Sequence, residues 1–177
     1  TGNIVLVKTT KYLMKGFNYV QNGGTITIPA GTVIMGEFSS KGTLIIQRGG
    51  RIFANGTPDA PVVFTSQRSA GQRAAGDWGG VIILGRSAIN TSTGSDSAEI
   101  EGFGPGLGPI YGGQPVVNDD NSGVLRFVRI EFPGVNLTGI TGNEINGLTM
   151  GGVGSGTTID YVQISYSGDD SFEWFGG

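Results

Sequence analysis

The chain has 177 residues, 34 of them glycine and 7 proline, with no cysteine, no histidine and a net charge of −3. Disulfides, thiolate metal sites, cysteine nucleophiles and histidine bases are therefore excluded, as is collagen, because the glycines follow no three-residue period. No run of about 18 apolar residues exists to form a membrane-spanning helix.

Charge is divided along the chain. Residues 1–86 hold nine Lys/Arg against three Asp/Glu, whereas residues 87–177 hold two against eleven. Arg48, Arg51, Arg68 and Arg73 read as solvated turn residues rather than the basic stripe of a nucleic-acid binder, so no nucleic-acid partner is expected. The acidic half suits divalent cations or simple solubility.

In chain order, NIVLV and KYLMKGFNYV within residues 1–24 read as an N-terminal cap, since a coiled sheet must cover its open edge. From Thr25 a coil begins: Thr25–Gly36 aligns with Thr43–Ala54 at an offset of 18 residues, each unit being strand, glycine turn, strand. Val62–Ser66 follows as a strand. Val81–Leu84 is wholly apolar, the pattern of a strand buried on both faces. Residues 25–86 are thus the first rungs. Residues 87–121, rich in Gly, Ser, Asn and Pro, form a long loop insertion containing one short strand, Ala98–Glu101, with Phe103 and Tyr111 packing it over one face.

Regular rungs resume over residues 122–177. LRFVRIEFPG (Leu125–Gly134) coincides in character with IDYVQISYSG (Ile159–Gly168) at an offset of 34 residues. Such internal similarity marks a repeat architecture, and the alternation of apolar and polar residues is that of a strand. The expected fold is an all-β, right-handed parallel β-helix in a single domain. Leu125, Phe127 and Ile130, with Ile159, Tyr161 and Ile164, are expected to include stacked core positions. The odd spacing of Phe127 and Ile130 requires either a bulge or a bend into a second sheet. No stretch combines helical periodicity with caps. The closing SFEWFGG reads as a strand starting a new rung, to be covered by a partner, a second copy or further rungs.

GDWGGVIILG, NSGVLRFVRIEFPG and the stretch from NEINGLTMGGV to FEWFGG, together with YLMKGFNYV, IPAGTVI and PVVFTS, resemble the large secreted or surface-anchored β-helix proteins of Bacteroidota, often labelled multidrug transporters. The resemblance covers nearly the whole chain. It implies export and a right-handed β-helix that continues past FEWFGG, and supplies no catalytic residues.

Three kinds of site are candidates. Asp119, Asp120, Asp169, Asp170 and Glu173, with Glu144, lie in turn sequences that a coil stacks on one side, where carboxylates and carbonyls suit calcium; as turn formers they also bond their own backbone. Trp78, Tyr111 and Trp174, with Phe175, offer rings for stacking sugars, against the alternative of packing beside glycines. Arg126, Arg129 and Glu131 share a strand and would serve a polysaccharide lyase, or else form an exposed charge ladder. Asp96-Ser97-Ala98 matches an O-glycosylation acceptor at Ser97, and Asn55, Asn90 and Asn136 begin N-glycosylation patterns. The functional expectation is a secreted or cell-surface structural, adhesive or glycan-binding module. The alternatives are a lyase or hydrolase acting on acidic glycans, and a self-assembling surface component.

Overall fold

The computed structural model describes residues 2–137, 139 and 143–177. Among these, every regular element is a strand. Each turn of the coil gives one strand to each of three parallel sheets. Sheet one stacks β1 (Asn3–Val5), β4 (Thr25–Pro29), β7 (Arg51–Asn55) and the first halves of β12 (Gly123–Glu131) and β14 (Thr158–Ser165). Sheet two stacks β2 (Lys11–Met14), β5 (Val33–Gly36), β8 (Val62–Ser66) and the second halves of β12 and β14. Sheet three is β3 (Phe17–Val20), β6 (Thr43–Ile46), β9 (Gly80–Leu84), β13 (Leu148–Gly151) and β15 (Phe172–Phe175). This is the parallel β-helix expected from the repeat.

Two expectations need correcting. Residues 1–24 are not a separate cap: β1, β2 and β3 pair in parallel with β4, β5 and β6 as the first turn of the coil. The 18-residue offset is not a rung either, since the register pairs Thr25 with Arg51 rather than Thr43. Strand, glycine turn and strand recur at every corner of a three-sided coil, so that alignment slid one corner onto another. The 34-residue offset is true register, with Leu125 beside Ile159 and Ile130 beside Ile164.

The odd spacing in LRFVRIEF is resolved by a bend. Sheet one ends at Arg126, sheet two begins at Val128, and Phe127 turns the corner with φ 47°, followed one turn later by Tyr161 with φ 51°. Leu125, Val128 and Ile130 consequently point inward and are buried, whereas Phe127 and Tyr161 stack outside, not in the core. Burying each such aliphatic side chain contributes about 2 kcal/mol. The inward ladder of sheet two, Ile34, Phe64 and Ile130, meets Leu44, Val81 and Leu148 of sheet three in one apolar core.

A second core lies outside sheet three. Ile45, Ile82 and Leu84 face outward there, and Ile100 and Tyr111 of the 87–121 insertion, with Val135 and Ile145 of the loop after β12, close over them. The insertion carries a short antiparallel hairpin, β10 (Ser97–Glu99) and β11 (Ile110–Gly112). β9 is thus buried on both faces, as its apolar run predicts. The Tyr111 ring lies on Gly151, where a Cβ would come within 2.6 Å.

Candidate functional site

The outer face of sheet two is framed by aromatics; Arg73, from the segment after β8, covers Thr65, while Arg129 and Gln163 stay exposed. At the corner between sheets one and two, Phe127 and Tyr161 stack with centroids 4.5 Å apart and planes within 4°. At the corner between sheets two and three, Phe132 and Tyr166 stack at 5.0 Å and 5°. Parallel rings this close lie face to face, so Tyr161 and Tyr166 each share one ring face with a partner in the preceding turn. These two tyrosines are 63% and 71% exposed. Phe132 and Tyr166 also have positive φ, 62° and 56°. For a bulky side chain this backbone is unfavourable by about 1–2 kcal/mol, and such strain clusters at functional positions.

Between the corners, alternate residues of β12 and β14 face outward. Arg129 stands beside Gln163 and Glu131 beside Ser165. Arg129 Nη2 lies 2.7 Å from Glu131 Oε1, and Glu131 Oε2 accepts a 3.0 Å hydrogen bond from Thr65 Oγ1. Beside the first corner, the Arg126 guanidinium sits 3.4 Å from Asp160 and 5.5 Å and 5.8 Å from the Phe127 and Tyr161 ring centroids. Both arginines are thus held in an exposed charge ladder. Ion pairs of this kind add at most about 1 kcal/mol of stability, but they fix polar groups in place.

The sequence-predicted stacking residues occupy three separate environments. Trp78 is fully buried, donates its indole N–H to the Glu131 carbonyl at 2.8 Å and stacks on Phe64, so it offers no face to a sugar. Gly36 makes this burial feasible, since a Cβ there would lie 2.5 Å from Trp78. Tyr111 is buried where the insertion packs on sheet three and is tilted 44° against Phe175. Trp174 stands beside Met150 on the ladder of sheet three but is 69% exposed, at an open depression that Val153 and Ile159 also line.

The five candidate calcium carboxylates are likewise dispersed. Asp119 and Asp120 lie at the corner between sheets three and one, where Asp120 Oδ2 accepts the Arg86 backbone N–H at 3.1 Å. Asp169 and Asp170 lie in the turn between β14 and β15, and Glu173 projects outward from sheet three. Among the described residues, no three acidic side chains gather as a metal-binding group. Ser97 is half-buried in β10, its carbonyl accepting the Ser95 hydroxyl. Of the N-glycosylation patterns, the one at Asn136 extends to Thr138, which lies outside the described residues.

Sequence reasoning missed the partner of Glu173. Glu101, from the insertion, shares a donor with it, since Asn146 Nδ2 donates to both carboxyl groups. Burial, then the bond and charge of Glu101, then Asp170 and Asp169, push the Glu173 carboxyl up to about 8. Burial, Glu144 and Asp170 also raise Asp169. Through Asn146 the pair of Glu101 and Glu173 ties the insertion to the last turn. Asp77 has the opposite balance: burial pushes it up, but hydrogen bonds from Ser66, the Ala74 N–H and Arg68 hold it below the ordinary value.

A family model described as a pectate-lyase-like β-helix domain matches residues 1–177. No curated protein and no solved structure matches the chain. With three parallel sheets coiled along its length and that match spanning every residue, the chain belongs to the pectate-lyase-like β-helix domain family.

Proposed function

We propose that this domain is a glycan-binding module that works outside the cell, secreted or surface-displayed, using the outer face of sheet two as its platform. One observation carries the reading: Tyr161 and Tyr166 are held exposed, on unfavourable backbone, at the two edges of a polar sheet face. They stand five positions apart, about 16 Å of strand at ~3.3 Å per residue. Apolar sugar faces would rest on the tyrosines, while hydroxyls bond Arg129, Glu131, Gln163 and Ser165. Few fixed polar groups among aromatic surfaces is the usual composition of such a site.

The alternative is a lyase or hydrolase acting on acidic glycans. It has less support: Arg126 and Arg129 are both ion-paired, and Glu101 and Glu173 are both held by Asn146. The test is incubation with neutral and acidic polysaccharides, following both retention and ultraviolet absorbance of unsaturated products. Retention without products, lost in the Tyr161→Ala/Tyr166→Ala variant, is expected. Absorbance growing with time would replace this reading with the enzymatic one, and retention unchanged in the variant would remove the platform.

A further inference from the structure

The corner between sheets three and one gathers side chains from successive turns of the coil. Asn22 comes from the first, Arg48 from the second and Arg86 from the third, each in the segment that follows a strand of sheet three. The insertion folds back so that Gln114, Pro115 and Val117 complete a cleft of about 480 Å³ with them.

The cleft has an unbalanced charge. Arg48 and Arg86 are half-buried, and neither forms an ion pair among the described residues. Arg48 Nη1 donates to the Gly112 carbonyl at 2.9 Å, which anchors the side chain and leaves other guanidinium N–H groups for a ligand. Arg86 donates from its backbone to Asp120, while its guanidinium has no partner among the described residues. That guanidinium and the Asn22 amide both lie over Gly49: a Cβ there would stand 3.1 Å from Arg86 Nη2 and 2.1 Å from Asn22 Oδ1. Three acidic residues stand at this corner, Asp96, Asp119 and Asp120, and none lines the cleft. Asp96 accepts from Gln114 Nε2 at 3.2 Å, and Asp120 is held by the Arg86 backbone.

We infer that this cleft binds a phosphomonoester group between Arg48 and Arg86. Two guanidinium charges without a facing carboxylate match an anion carrying close to two charges, which a phosphomonoester has at neutral pH. A carboxylate or sulfate ester carries one. Guanidinium forks also fit phosphate oxygens in pairs, with charge-assisted bonds about twice as strong as neutral ones. The cleft lies at the corner opposite sheet two, so its occupancy is independent of the tyrosine platform.

Calorimetric titration tests this with glucose 6-phosphate, glucose 6-sulfate, galacturonate and glucose, and sedimentation with phosphatidic acid vesicles separates a lipid source from a soluble one. Saturable binding of glucose 6-phosphate, or of the vesicles, is expected, with glucose 6-sulfate and galacturonate weaker and glucose silent. Arg86→Gln should weaken binding by about tenfold or more and Arg86→Lys by less, both keeping the wild-type melting temperature in phosphate-free buffer. Arg48→Gln is a second probe, read only if its melting temperature is also retained. No phosphomonoester binding, equal or tighter binding of galacturonate or glucose 6-sulfate, or full binding by folded Arg86→Gln would each overturn the assignment.

Discussion

Sheets two and three are built on the same coil and share one inward core, yet they meet the outside in opposite ways. On sheet three the outward ladder runs Ile45, Ile82, Thr149, Glu173, and two excursions of the chain fold back to cover it. On sheet two the corresponding ladder is polar in its last turns, where Arg129 and Gln163 stand side by side and exposed between two aromatic corners. The coil dictates only the inward residues. The outward ones decide which face becomes core and which stays available to a ligand.

The largest test of this contrast is Ile82→Ala. If the insertion truly makes a second core, the substitution costs about 2–5 kcal/mol, read as a lower chemical-denaturation midpoint. A loss within about 0.5 kcal/mol, as at a surface position, would mean the cover is loose.

A pH series sharpens the same contrast at the seam between insertion and coil. Because the Glu173 carboxyl is raised from 4.5 to about 8, the folded protein keeps a proton that the unfolded chain has released between those values. Its contribution is present in full below the unfolded value and is lost as pH rises through about 8. The melting temperature should therefore fall between pH 5 and 9, and Glu173→Gln should flatten that fall. An unchanged slope in the variant would place the proton elsewhere.

On sheet two the effects are smaller. Tyr161→Ala loses a stacked pair, about 1 kcal/mol, and Tyr161→Gly should cost less because glycine adopts φ 51° without strain. Equal melting temperatures for the two variants would show that the corner is not strained. Gln163→Ala should shift stability by less than about 0.5 kcal/mol while weakening glycan retention, dissociating binding from folding.

Much of this was legible in the sequence. Strand positions, the 34-residue register, the doubly buried Val81–Leu84 and the packed insertion follow from apolar period and from paired motifs that stack on each other. What misled was symmetry: the corners of a three-sided coil look alike, so Thr25–Gly36 matched Thr43–Ala54 without pairing with it. The corner at Phe127 was visible only as an odd spacing, because aromatic residues carry no signal for positive φ. Of the expected stacking residues, Trp78 is held inside by Gly36 and Tyr111 is buried, whereas Trp174 is exposed, as are Tyr161 and Tyr166 within the strand repeats. Glu101 and Glu173, like Arg48 and Arg86, meet only because the coil and its insertion bring distant segments to one corner. No local pattern encodes such encounters.

The central claim is that the tyrosine-framed face of sheet two is where a glycan binds. Its most direct test is NMR mapping of backbone amides during titration with an oligosaccharide retained in the polysaccharide assay. The account predicts perturbations confined to Arg126–Phe132 and Asp160–Tyr166, absent from the covered strands of sheet three. Perturbations centred on the insertion, or on neither tyrosine corner, would contradict it.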